Sequence, residues 1–356
     1  MVDILGYMKD HLAPFTVHLV LLDAERERHS APVWVKKHVL NADFGLVSST
    51  VRLARLLKQL RPVLALSFLN RANCANVMVS KLLGYPCIIS ERVHTTSHFG
   101  SQLTALVNKT IVRLTYPLAD QVIAVSDGVK DDLLANFAVR GSKLRVIHNP
   151  VNIDRICKRA AEAPSINIPA PYIMGMGRLV PNKNFRLLIE AYRMSQIAEN
   201  LVILGEGPER TALESLIIQY GLSGRVILPG HVNNPYPIIK MARFYVCSSN
   251  AEGFPNALIE AMALGCPVVS TDCDTGPLEI LAPQNRVRCK ELTQAQYGIL
   301  VPPDAPDMMA AAIRAGCDET TRAFYSGRGA DRAKDYTVGS SVDLYWDTIA
   351  PYAVLA

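Results

Sequence analysis

The residues best placed to do chemistry together are Glu252 and Glu260, in the stretch SSNAEGFPNALIEAMALGCPVVSTD from Ser248 to Asp272. The stretch follows an apolar run that reads as a strand, and it continues into a helical pattern. Gly253 permits a close backbone approach, and Pro255 suits a first helical position. The next amides then point outward from a helix start. Unpaired N–H donors and the positive end of the helix dipole attract a diphosphate there. Glu252 lies before this helix and Glu260 about one turn within it, so both carboxylates can flank one bound nucleotide sugar. Carboxylates accept hydrogen bonds from hydroxyls, which ribose and sugars carry in number.

The whole block EGFPNALIEAMALGCPVV, with seven residues between its two glutamates, resembles the signature of retaining glycosyltransferases of family 4 (GT4). The resemblance implies that Glu260 holds the ribose hydroxyls and that Glu252 contacts the transferred sugar. It also implies donor contacts from Gly253, Phe254, Pro255, Asn256 and Leu258. A second block, MGMGRLVPNKNFRLLIEAY from Met174 to Tyr192, resembles the family pattern of a glycine, an arginine and a later lysine, here Gly177, Arg178 and Lys183. A nucleoside diphosphate gathers negative charge as the glycosidic bond breaks. Two fixed cations stabilise that charge more in the transition state than before it. Arginine can grip two phosphate oxygens, whereas lysine supplies a point charge.

Further blocks extend the resemblance. LVILGEGPER and VILPGHVNNPYPIIKMARFYVCSS resemble the loops that frame the nucleotide base, which implies contacts near Gly205 and from the backbone around Val232. STDCDTGPLEIL resembles a block whose Gly276 and Pro277 face the donor sugar, although the arginine usual after Gly-Pro is Leu278 here. Asp272-Cys273-Asp274 has the DxD form that holds a divalent ion in another glycosyltransferase fold. Arg178 and Lys183 already supply the positive charge such an ion would bring, so no metal and no cofactor is expected beyond the nucleotide sugar. Gly175-x-Gly177 lacks the third glycine and the acidic residue of a dinucleotide fingerprint.

On the acceptor side, PCIISERVHTTSH ends a buried strand and is expected to bring Glu91, Arg92, His94 and His98 to a cleft. In related enzymes a histidine on this loop sits beside the donor sugar, and His94 is the candidate here, as an orienting group or a base. Ser126 reads chiefly as an N-cap with acceptor contact as a second role, and Asn149-Pro150 resembles the family's interdomain hinge. The reaction implied is retaining transfer of a hexose or N-acetylhexosamine, with UDP the favoured nucleotide, to a glycan or lipid-linked saccharide. Front-face attack, with the leaving phosphate taking the acceptor proton, needs no covalent carboxylate, unlike a retaining glycosidase. A UDP-sugar 2-epimerase of similar architecture would share the diphosphate site without the paired glutamates. A non-catalytic nucleotide-sugar binding module is the other alternative.

Elements able to position these groups recur along the chain. Apolar runs at Thr16–Leu22, Val63–Phe68, Pro86–Ser90, Gln121–Val125 and Leu144–His148 read as one set of strands. Runs at Tyr172–Met176, Leu201–Leu204, Val226–Pro229, Phe244–Ser248 and Pro267–Thr271 read as a second. Helical segments such as Asn184–Met194 and Pro208–Tyr220 separate them, so the fold class expected is α/β of the GT-B type, two Rossmann-like domains facing a central cleft. The expected domains are 1–165, 166–335 and a last helix, 336–356, crossing back to the first. The first domain reads as lacking the strand, Gly-rich turn and helix that open a doubly wound sheet, because Met1–Pro14 is helical in pattern.

Composition agrees with a folded chain of more than one core: 356 residues, 49% hydrophobic, 19% charged. No apolar run reaches the length of a membrane-spanning helix, and the start lacks the pattern of a secretory signal, so the expected location is the cytosol. The eight cysteines form no CxxC pair and suggest neither a metal nor a disulfide. Charge is uneven. Up to Ser165 there are 21 Lys and Arg against 13 Asp and Glu, and in the remainder 16 against 19. A basic first half suits a pyrophosphate-bearing substrate or peripheral association with an anionic membrane, with no nucleic-acid partner expected.

Overall fold

A computed structural model describes residues 2–24, 31–99 and 103–353. They form two compact units, residues 2–150 with 338–353 and residues 151–337. The division falls at Pro150 rather than after Ser165, because helix Ile153–Ala160 packs on helices Tyr236–Met241 and Asn256–Ala263 of the second unit. The last helix, Val338–Ile349, groups with the first unit.

In the first unit β1 (His18–Leu21) and β2 (Lys36–Val39) form a parallel pair. A separate parallel sheet holds β3 (Ala65–Phe68), β4 (Cys87–Glu91), β5 (Gln121–Ala124) and β6 (Leu144–Val146) in chain order. The described residues ahead of β1 form helices Val2–Tyr7 and Lys9–Leu12, not a strand and Gly-rich turn. β4 is buried along its whole length, as an inner parallel strand covered on both faces should be. One face packs Ile88, Ile123 and Ile147 against Tyr345 and Ile349 of the last helix. Leu53 and Leu57 of helix Leu46–Leu60 and Ala75 and Val79 of helix Asn70–Leu83 form a second cluster.

The second unit is built on β7 (Tyr172–Met176), β8 (Asn200–Leu204), β9 (Val226–Gly230), β10 (Tyr245–Cys247), β11 (Val268–Thr271), β12 (Thr293–Gln294) and β13 (Ile299–Val301). Their order is β12-β13-β11-β10-β7-β8-β9, parallel except where β12 meets β13. The chain leaves β7 on one side for β8 and β9, then returns on the other with β10 and β11. β7 and β10 therefore bracket the point where strand order reverses, the place where open α/β sheets bind ligands. Phe185, Leu188 and Ile189 of helix Phe185–Ser195 and Met309 and Ile313 of helix Pro306–Cys317 share the core with β7, β8 and β10.

Candidate functional site

The loops that leave β7 and β10 are stitched to one another. Asn250 N–H donates to Asn182 O at 2.8 Å, Ser248 Oγ to Lys183 O at 2.9 Å, and Asn184 Nδ2 to Asn250 Oδ1 at 2.9 Å. Asn184 adopts the left-handed conformation and caps helix Phe185–Ser195 by accepting the Leu187 N–H. That cap ends the short turn Pro181–Lys183 and fixes where the lysine stands.

Two glycines bring backbones close around these loops. Gly205 has φ +143°, and a Cβ there would lie 1.8 Å from Gly177 O. Gly276 has φ +95°, and its Cβ would meet Pro255 Cδ at 2.6 Å. Larger residues would displace the Gly177 and Pro255 turns from the cavity they border.

That cavity, of about 280 Å³, is walled by both loops and by the start of helix Asn256–Ala263. Gly177, Arg178, Lys183 and Glu252 border it, and so do Phe254, Pro255 and Asn256. Lys183 Nζ donates to Glu252 Oε1 at 2.5 Å, with their side chains only 26% and 10% exposed. Burial opposes the Lys183 charge, but the Glu252 carboxylate beside it outweighs burial and holds the ammonium above its ordinary pKa. Glu252 also accepts from Ser249 Oγ at 2.6 Å, and Thr275 Oγ1 donates to its backbone carbonyl at 2.5 Å. Burial, and then the charge of Glu252, push the Cys247 thiol up, so it stays protonated beside the pair. Arg178 is exposed and forms no ion pair among the described residues.

Glu260 stands apart from the cavity wall, half-buried, near helix Tyr236–Met241. Burial pushes its carboxyl up to about 7, against a hydrogen bond from Tyr236 that favours the anion. The buried phenol of Tyr245 senses both Glu252 and Glu260. Gly253 is buried in the same loop, and Val232 is half-buried on the loop after β9. Leu258 is a correction: its side chain is fully buried and its N–H donates to Pro255 O, so it packs the helix instead of meeting a donor. Asp272 accepts the Cys289 N–H at 2.7 Å and Asp274 pairs with Arg288 at 2.7 Å, so both carboxylates are tied to the segment that follows.

In the first unit the expected acceptor residues have different fates. Glu91 is fully buried at the end of β4. One of its oxygens accepts the Arg92 and Val93 N–H groups, and the other accepts Tyr116 Oη–H at 2.5 Å and Asn70 Nδ2–H at 3.1 Å. Sealed from any ligand, Glu91 shapes the loop that follows. Burial pushes its carboxyl up to about 7, although these hydrogen bonds favour the anion. Ser126 is the N-cap its sequence suggests, its Oγ accepting the Val129 N–H at 3.2 Å, and because it is fully buried the second role expected for it, acceptor contact, is corrected.

Arg92 and Asn149 do come together, guanidinium to side-chain carbonyl, and Arg92 also donates to Tyr345 Oη at 3.0 Å. His94 is half-buried, with Nδ1 2.6 Å from Ser97 Oγ and Nε2 3.7 Å from Asp132 Oδ1. Asp132 was missed in the sequence. It is buried and also holds the Thr96 N–H and hydroxyl, which anchors the His94 loop onto helix Asp127–Asn136. An acidic residue on the helix face that otherwise buries Val129 and Leu133 is the signal that could have found it. The side chain of His98 lies outside the described residues.

Comparisons with known proteins give the family. The family described as Glycosyl transferases group 1 matches residues 159–321, and Glycosyltransferase Family 4 matches residues 9–155. The N-acetylgalactosamine-N,N'-diacetylbacillosaminyl-diphospho-undecaprenol 4-alpha-N-acetylgalactosaminyltransferase of Campylobacter jejuni is 32% identical over 276 residues, 76% of this chain and 71% of that one. Among solved structures, sucrose-phosphate synthase from Thermosynechococcus elongatus aligns with a TM-score of 0.79 at 19% identity, over 98% of this chain and 92% of that one. HepE of Anabaena in complex with UDP-glucose aligns with a TM-score of 0.74 at 18% identity, over 98% and 94%. No helix among the described residues is long and apolar enough to cross a membrane. The chain belongs to the group 1 glycosyltransferases of family 4, with the GT-B fold, and is a glycosyltransferase.

Proposed function

We propose that the protein transfers a hexose or N-acetylhexosamine, with retention of anomeric configuration, from a UDP-sugar to a lipid-linked saccharide. The observation that carries this reading is the Lys183–Glu252 pair in the cavity at the strand-order reversal, beside Arg178 and a helix start. Without a donor the two charges neutralise each other. A diphosphate between Arg178 and Lys183 would draw the ammonium towards its oxygens and leave Glu252 free to accept sugar hydroxyls. The bond from the anomeric carbon to the diphosphate then breaks while the acceptor oxygen bonds to the same face, and the acceptor proton passes to the departing phosphate. Arg178 and Lys183 offset the charge that develops, so the reaction is read as independent of a metal ion.

Glu260, tied to Tyr236, is the proposed partner of the ribose hydroxyls, and His94 that of the sugar or acceptor hydroxyl. UDP as the nucleotide is supported by the UDP-glucose complex of HepE, and a polyprenyl-diphosphate acceptor by the name of the Campylobacter relative. The experiment is a donor screen by mass spectrometry with a polyprenyl-diphosphate saccharide as acceptor. A product one sugar heavier, formed only when acceptor is present and unaffected by chelator, supports the reading. Formation of an epimeric UDP-sugar without acceptor would sink it.

A further inference from the structure

Three helices of the first unit lie side by side: Leu46–Leu60 packs on Asn70–Leu83, which packs on Leu103–Thr115. Their inner faces carry Leu53, Leu57, Ala75, Val79 and Val112 into the unit. Their outer faces are unusually apolar. Val47 is 78% exposed, Leu82 73% and Leu114 68%, with Val51, Met78 and Leu106 also open to solvent.

The charges among these side chains have one sign. The three helices contain seven Lys and Arg and no Asp or Glu, and between Asp43 and Asp120 the only acidic residue is the buried Glu91. Arg52 pairs with Asp43 at the margin. Arg55, Lys58, Lys81 and Arg113 are exposed and form no ion pair among the described residues. Clustered like charges repel, and exposed valines and leucines order water. An ordinary solvated surface mixes charge signs and avoids both costs.

We propose that this face docks on an anionic lipid bilayer, with the apolar side chains in the headgroup boundary and the basic ones on lipid phosphates. A protein partner fits less well. Protein interfaces gather apolar residues at a centre inside a polar rim, whereas here one helix stripe carries Val47 and Val51 and then Arg55 and Lys58, with no polar rim around the valines. Long basic side chains that bury their stems and raise their charged ends suit a flat surface that is apolar below and anionic above. Packed helices generally lie roughly 8–10 Å apart, so three in a row present a platform, not a single ridge. The inference deepens the lipid-linked acceptor reading and rests on it for its purpose. The two remain separable, because vesicles without acceptor report on the surface alone and transfer in detergent reports on catalysis alone.

The experiment is co-sedimentation of the full chain with vesicles of phosphatidylcholine, alone or mixed with phosphatidylglycerol, at low and high salt. Binding is expected with the anionic vesicles and should weaken as salt rises. The combined variant Arg55→Glu, Lys58→Glu, Lys81→Glu and Arg113→Glu should lower the partition coefficient at least about 100-fold, given the contribution of each basic residue near such a surface. A second variant, Val47→Ser with Leu82→Ser and Leu114→Ser, should weaken binding while leaving its salt dependence in place. Unchanged UDP affinity would show that both variants fold. Three results would overturn the proposal: no sedimentation with either vesicle, equal sedimentation with neutral vesicles, or variants that bind as before. A concentration-dependent dimer abolished by the same substitutions, without vesicle binding, would assign the face to a second copy of the chain instead.

Discussion

Glu91 ends the inner strand β4 and Glu252 lies on the loop that follows the inner strand β10, one in each unit, and the protein treats them in opposite ways. Glu252 keeps a narrow opening to a cavity and faces the lysine ammonium at 2.5 Å, with a serine hydroxyl as a second partner. Glu91 is closed off completely and meets only neutral donors, two amides, a phenol and a carboxamide. A carboxylate with a mobile cation and an opening can exchange that cation for a ligand. One surrounded by fixed neutral donors cannot, and it serves instead to hold a loop. The same side chain, at the end of one inner strand and on the loop after another, thus serves as a scaffold group in the first unit and as the proposed ligand group in the second.

The sharpest way to break that contrast is Lys183→Ala. It removes the cation that Glu252 faces and that is proposed to offset the charge of the departing diphosphate, so the transfer rate should fall by about 10²–10³-fold, measured as UDP release with saturating donor. A loss under tenfold would place the lysine outside the chemistry. Glu91→Gln probes the opposite member. Burial raises its folded pKa to about 7, above the ordinary carboxylate value, so the folded state keeps a proton that the unfolded chain has lost. Stability therefore falls as pH rises from the ordinary value through about 7, and is level above. The glutamine variant should lack this slope and gain on the wild type by about 1–3 kcal/mol at pH 8 relative to pH 5, as read by urea unfolding.

Glu260→Gln sharpens the comparison within the second unit. The ribose hydroxyls proposed to meet Glu260 would favour its anion, and burial pushes the carboxyl up to about 7, so affinity for a UDP-sugar should rise about five- to tenfold from pH 6 to pH 8. Calorimetry on the variant should show a flat profile. The smallest effect belongs to Ser126→Ala, which removes only a helix cap: about 1 kcal/mol of stability by urea unfolding, with the transfer rate unchanged.

Why the second unit was easier to read follows from how each site is assembled. The donor loops leave neighbouring strands and run straight into helices, so Arg178 to Lys183 and Glu252 to Asn256 sit in short contiguous blocks whose spacing carries the geometry. The burial of Glu91 depends on Asn70 and Tyr116, and the setting of His94 on Asp132, positions that no local spacing connects. The sequence of β4 ends CIISE, and the glutamate was read as emerging at a cleft when the burial of the strand extends through it.

Ten strands read from apolar runs are present within two residues of their expected bounds. Three others were not anticipated. β2 reads KKHV, an edge strand with no apolar face, while β12 has two residues and β13 three, too few to show a period. Leu258 was assigned to the donor from the block it lies in, yet helical periodicity turns it into the core while its neighbours Asn256 and Ala257 border the cavity.

The central claim is that Lys183 and Glu252 act as one unit on the bound donor. Rates of UDP release with acceptor present, for Lys183→Ala, Glu252→Gln and the two together, examine it most directly. The account predicts that the double variant loses little more than the worse single variant, because either substitution already disables the pair. Losses that multiply, or a double variant that keeps most of its rate, would contradict it.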